Sequence, residues 1–459
     1  MKSQRLGTKR ALELFHPTAR SRREVARPLP FMERAIKRDR IFKRIITIAT
    51  FTAVVATVAA VPAGRRSVLR SASWVRTEFP RVLGVEPSRS RIEADLALKR
   101  EQSMERTRFS LEKFYHGAPP AIRELFDRSG MSPRNGLIRW GFGDQSFLIS
   151  SRVFDPDDAG RSYRLKPRVR SVWLRNITII DGPFGMFLVP DEPETREAAV
   201  AAGAIVDLRS IQTTNSWGFR GGEPETHAEL RGIVLGDSFM LGMFVGDSDT
   251  PSVRLERYLA QETGKSTSIL NTGSIGYGPE QYFYTLKSVG DRFRPSFVVV
   301  SVCPNDFGEG FEVLSKGKGD WEGAKYWLDA IGQWCRSRRI LCVLAVVPCD
   351  VQFLSTRKDA FYPGLISNHF SGSPLHYCDP LNEFIDENIK LVQQAIDRDG
   401  RRPRSSPLYN MEIADNHFSP LGCDLWARTV GRRVARLLAY NGIVSTRDRS
   451  TNHEQIGAD

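Results

Sequence analysis

Between residues 205 and 442 the chain alternates short apolar runs with helical stretches, and no other feature restricts its fold as strongly. The runs are RGIVLGDS, STSILNTG, SFVVVSVCPND, RILCVLAVVP and, more weakly, LHYCDP. Their apolar residues stand side by side instead of on every second position, which is the pattern of a strand buried on both faces. One helical stretch opens at Thr250-Pro251, carries Leu255, Tyr258 and Leu259, and stops at Gly264. A second runs from Pro279 to Gly290, and a third occupies about 321–335. The last presents Trp426, Val430, Val434 and Leu437 on one face. Doubly buried strands separated by helices call for an α/β domain, a parallel sheet between helical layers. Ligands of such sheets bind at the carboxyl ends of the strands.

Those ends carry the chemistry. The first run breaks into Gly236-Asp237-Ser238, which is ordinary turn composition but also holds up a serine. The second leads into Asn271 and a Gly-rich turn around Gly276, and the third delivers Asn305 and Asp306. Asp415 stands two residues before His417, just ahead of the last helix. Acyl transfer to serine needs a nucleophile, a base, a group that orients the base, and donors for the oxyanion. Ser238, His417 and Asp415 fill the first three roles. Gly276, whose backbone N–H a ligand can approach, and the Asn305 amide supply the donors.

Other chemistries fit poorly. No G-x-S-x-G elbow surrounds Ser238, which excludes the α/β-hydrolase motif. The seven histidines are scattered, with no H-x-x-x-H or C-x-x-C spacing, so neither a metal nor a cofactor is expected.

From about residue 213 to 440 the chain resembles the SGNH, or GDSL-type, hydrolase superfamily. Ser238 matches its GDS block, Gly276 the glycine block and Asn305 the GxND block, while Asp415 and His417 match the closing DxxH-type block. The segment TNSWGFRGGE, residues 214–223, is similar to the NxxGFR stretch ahead of the first strand in many exported members. The resemblance implies a three-layer α/β/α, flavodoxin-like domain. It also implies serine-dependent ester hydrolysis, with an oxyanion hole built from the Ser238 backbone, Gly276 and Asn305. Two blocks depart from the pattern. Cys303 stands where the third block has glycine, and one residue, not two, separates Asp415 from His417, a spacing also found in polysaccharide O-acetylating relatives.

The net charge of +13 is concentrated at the amino terminus: residues 1–44 hold 14 Lys and Arg against four acids, a net of +10. The other 415 residues carry 52 basic and 49 acidic side chains, so the body has no electrostatic footprint for nucleic acid. Residues 45–64, IITIATFTAVVATVAAVPAG, contain no charge. As a helix they would be roughly 30 Å long, enough to span a bilayer core. A membrane anchor is the expectation, with a cleaved signal ending at VPA and a buried core helix as rival readings. Seven Lys and Arg in residues 25–44 against five in residues 65–84 favour a cytoplasmic amino terminus and an extracytoplasmic body. Six cysteines leave the compartment open.

The domains expected are a basic tail (1–44), the anchor (45–64), a linker, stalk helix and small mixed β-containing region (65–204), the hydrolase-like domain (205–442) and a C-terminal tail (443–459). The expected partner is an acylated small molecule or glycan. Acetyl hydrolysis from a carbohydrate-like ester leads; acyl transfer to a glycan hydroxyl and non-catalytic glycan binding stand beside it. The oligomeric state is not legible.

Overall fold

The computed structural model describes residues 89–141, 146–175, 187–307, 321–354, 362–370, 372–410 and 416–444. The basic tail, the apolar stretch 45–64 and residues 445–459 lie outside that set, and so does the expected membrane anchor. Among the described residues no helix is long and apolar enough to cross a membrane. The chain divides into two units, residues 1–94 and 95–459, and the second holds everything that follows apart from the start of the first helix.

The charge-rich stretch forms helix α1 (Arg89–Gly117), followed by α2 (Pro120–Ser129). Two antiparallel pairs come next, β1 (Leu137–Trp140) with β2 (Ser146–Ile149) and β3 (Phe154–Asp157) with β4 (Ser162–Leu165). A small antiparallel sheet then joins β5 (Arg170–Arg175), β6 (Leu188–Pro190) and, beyond α3 (Pro193–Ala201), β7 (Ile205–Thr213), in the order β6-β5-β7. Residues 205–213, assigned to the α/β stretch from the sequence, thus pair with this accessory region. Parallel pairing begins at Leu230.

The main sheet contains β8 (Leu230–Leu235), β9 (Thr267–Asn271), β10 (Phe297–Val302), β11 (Leu341–Val346) and β12 (His376–Cys378). All its pairings are parallel, in the order β12-β11-β10-β8-β9. Counted from β8, that spatial order is 2-1-3-4-5, the flavodoxin-like arrangement, whose order reverses between the first and third strands.

The one-turn helix α4 (Ser238–Leu241) follows β8, and α5 (Pro251–Thr263) leads into β9. Next come α6 (Pro279–Phe293) before β10, and α7 (Trp321–Ser337) before β11. The remaining helices are α8 (Val351–Leu354), α9 (Tyr362–His369), α10 (Leu381–Asp399) and α11 (Pro420–Tyr440).

Side-chain alternation along each strand divides the core into two layers. Ile233, Leu235, Val298, Val300, Val302, Leu344 and Val346 face Leu286 and Phe293 of α6 and Leu328 and Ile331 of α7. Val234, Val299, Val343 and Ala345 face Leu255 and Leu259 of α5, Phe384 of α10 and Trp426, Val430 and Val434 of α11. A strand whose every position meets a helical layer is apolar nearly throughout: β10 and β11 are buried along their whole length, and Ser301 is their one hydroxyl residue.

Candidate active site

β8 and β10 lie side by side at the reversal of strand order, and each delivers a chemical residue three positions past its end, Ser238 and Asn305. Asp237 starts the turn that carries the serine: its Oδ1 accepts the Phe239 N–H at 3.0 Å and so caps α4. Ser238 itself is buried.

His417 Nε2 lies 2.7 Å from Ser238 Oγ, joining residues 179 positions apart. The histidine is held from both sides. Its carbonyl accepts the Asn410 N–H at 2.9 Å, and the Asn410 side chain donates to the Phe418 carbonyl at 2.8 Å. Two residues later Ser419 caps α11 by accepting the Gly422 N–H. The imidazole also leans on the Phe239 ring, with centroids 4.5 Å apart. The turn that carries Ser238 therefore supplies the surface that steadies His417. Asp415 lies outside the described residues.

Asn305 sits in a 3-10 turn (Pro304–Phe307) directly after β10. Its amide donates to Asp237 Oδ2 at 3.2 Å, and the Cys303 thiol donates to the same oxygen at 2.9 Å. Asp306 Oδ2 accepts the Cys303 N–H at 2.8 Å, and its Oδ1 is 2.9 Å from the Tyr282 hydroxyl. Cys303 thus ties the two strand ends together. Burial, then the charges of Asp237 and Asp306, pushes its thiol well above the usual range, so it stays protonated. Burial also raises the Asp306 carboxyl, and the nearby Asp237 adds to the effect.

Gly276 has φ +61°, a left-handed conformation that favours glycine. A Cβ there would stand 2.9 Å from the Phe147 ring and 3.2 Å from the Tyr163 hydroxyl, both in the accessory region. On its other flank the same loop lies against the turn that carries Ser238. A Cβ on Gly273 would meet the Leu241 nitrogen at 2.2 Å, and the Ser274 N–H donates to the Gly236 carbonyl at 3.3 Å. Among the described residues the N–H groups of Ser238 and Gly276 have no hydrogen-bond partner.

The segment 214–223 acts on this site through packing. Asn215 Oδ1 accepts the N–H groups of Trp217 and Phe219, closing a turn. That turn sends Arg220, fully buried, to the carbonyls of Leu241 (2.6 Å), Gly242 and Val245 (2.6 Å), with Asp247 3.0 Å from its Nε. Arg220 therefore staples the chain leaving α4. Its type and position are plain in the sequence, but its targets 21 to 25 residues away are not. Asp237, Asp306, Tyr282 and Phe239 also went unassigned from sequence, although Asp237 and Phe239 flank Ser238 and Asp306 follows Asn305. Among the described residues no group of His, Cys, Asp and Glu could hold a metal ion.

No family model matches the chain, and no curated protein matches it. Solved structures similar to it include an acetyl xylan esterase, 16% identical over 45% of this chain and 100% of its own, with a TM-score of 0.33. A psychrotrophic esterase from Pseudoalteromonas sp. is 12% identical over 46% of this chain and 98% of its own, with a TM-score of 0.30. A GDSL-like lipase from Bacteroides thetaiotaomicron is 12% identical over 46% and 90%, with a TM-score of 0.29. Likeness at this level carries no argument about activity.

Proposed function

We propose that the protein is a serine esterase of the SGNH, or GDSL, type. The observation that carries this reading is the 2.7 Å approach of His417 Nε2 to Ser238 Oγ at the reversal of the sheet. Ser238 attacks the acyl carbonyl as His417 takes its proton, and the oxygen–carbon bond forms while the carbonyl oxygen becomes an oxyanion. The Ser238 and Gly276 N–H groups and the Asn305 amide stabilise that charge. Collapse expels the alcohol, which takes the proton from His417. Water, activated by the same histidine, then releases the carboxylic acid and restores the serine. Asp415 is assigned to orient His417.

The substrate assigned is a carbohydrate-like ester with a small acyl group, most simply acetyl. The body is assigned to an extracytoplasmic site, anchored by residues 45–64 with the basic tail in the cytoplasm. Uncharged spanning length directly after a +10 tail supports that placement.

A fluorophosphonate probe tests the reaction. It should label wild-type protein at Ser238, and Ser238→Ala should lose both the label and at least ~1000-fold of nitrophenyl acetate cleavage. Retention of more than about a tenth of the activity in a normally folded variant overturns the assignment. Assays of acetylated sugars, with and without free sugar as acceptor, separate hydrolysis from transfer. Fractionation tests the anchor: the full chain should need detergent for release, and an intact chain in the salt-washed soluble fraction contradicts it.

A further inference from the structure

We infer that Tyr163, in the accessory region, is a positioning residue that aims the Gly276 N–H at the oxyanion. The inference rests on the serine-esterase reading and assigns part of the region before Ile205 a role in its chemistry. The Tyr163 hydroxyl donates to the carbonyl of Ile275. That carbonyl and the Gly276 N–H belong to one peptide unit, which is planar and trans, so the two groups point in opposite directions. Holding the oxygen on the accessory side leaves the N–H facing away from it, and the N–H has no partner among the described residues. Donation to the carbonyl also polarises the peptide, which makes its N–H a better donor.

Tyr163 is itself firmly placed. It is fully buried on β4, with its ring edge-on to Phe154 at 5.8 Å and to Tyr277 at 5.2 Å. Tyr277, the residue after Gly276, returns the bond by donating its hydroxyl to the Tyr163 carbonyl. The loop is therefore clasped on both sides of Gly276. Phe147 of β2 closes the remaining space, because its ring occupies the volume that a Cβ on Gly276 would enter. Burial holds the Tyr163 hydroxyl protonated, so the donor persists across the working pH range. A left-handed glycine has more than one accessible peptide orientation, and this clasp selects one of them.

The experiment compares Tyr163→Phe with wild type in the full chain, using nitrophenyl acetate and following kcat, KM and thermal midpoint. The ring stays and only the hydroxyl goes. The expected result is a fall in kcat of ~10-fold, a fraction of what losing a whole donor removes, with KM within about twofold. A merely structural bond would shift the midpoint and leave the kcat of the folded protein unchanged, and kcat within about twofold of wild type overturns the inference. Should Tyr163→Phe fail to fold, Phe147→Leu loosens the same glycine without removing a buried hydrogen bond. It should show the same kcat-selective loss, and wild-type kcat there overturns the inference too. Ser238→Ala, run alongside, separates the two levels. Activity that survives it removes the esterase reading, whereas Ser238-dependent activity indifferent to Tyr163→Phe removes only the role of Tyr163.

Discussion

Replacing Arg220 with methionine tests whether the turn that carries Ser238 is held in place from outside the sheet. The guanidinium is fully buried and donates to three main-chain carbonyls, those of Leu241, Gly242 and Val245, with Asp247 as its counter-ion. Methionine keeps much of the volume and removes every donor. Asp247 is not stranded by the change: it remains partly exposed and still accepts the Thr213 N–H at 2.9 Å and the Thr213 hydroxyl at 2.6 Å. The loss therefore falls on the carbonyls. Each buried acceptor left unpaired costs about 1–3 kcal/mol. The Gly242 carbonyl keeps the Val245 N–H at 3.3 Å, so the Leu241 and Val245 carbonyls carry most of the cost, and their shared environment makes the two overlap instead of adding. A total of about 3–5 kcal/mol is expected, a large part of the 5–15 kcal/mol typical of a domain. Urea denaturation with an unchanged m-value measures it. Because the staple sits at the carboxyl end of α4, the rate of phosphonate labelling at Ser238 should also fall under conditions where the variant is folded. Arg220→Lys, with a compact ammonium that cannot fork to all the acceptors, should lose about half as much. A loss under ~1 kcal/mol in both variants would refute the reasoning and mean that water replaces the guanidinium without penalty.

Asn305→Ala should lower kcat roughly 100- to 1000-fold with KM little changed, because an oxyanion donor acts where charge develops; a change confined to KM would make Asn305 a substrate contact. Asp306→Asn mimics the protonated acid, with its carbonyl accepting the Cys303 N–H and its amide facing Tyr282. A raised carboxyl pKa in the folded state contributes stability that is complete below the unfolded value of ~4 and is lost as pH climbs through the folded value. Wild type should therefore lose stability relative to Asp306→Asn between about pH 4 and its raised pKa, and parallel pH–stability curves would contradict the direction assigned to Asp306.

The parallel sheet was legible because its cause is local. Strands buried on both faces, such as FVVVSV and LCVLAV, are apolar at nearly every position, and caps such as Thr250-Pro251 mark helix starts without reference to distant residues. The positions of Ser238, Gly276 and Asn305 were legible for a related reason: each follows a strand run closely, so the sequence alone places them on one edge of the sheet. What no local pattern contained was the order of the strands and the contacts that order creates. Placing β8 beside β10 sets Asp237 against Cys303 and Asn305, 66 and 68 residues away. Docking the accessory hairpins brings Tyr163 to Ile275 across 112 residues, and an aromatic residue inside an accessory strand has no local mark that separates a clasp from ordinary core. Local propensity and periodicity determine which elements form and which residues stand at their ends. Only the tertiary packing, through side chains that meet after the chain has crossed the sheet, decides which carboxylate holds which amide and which ring fixes the glycine.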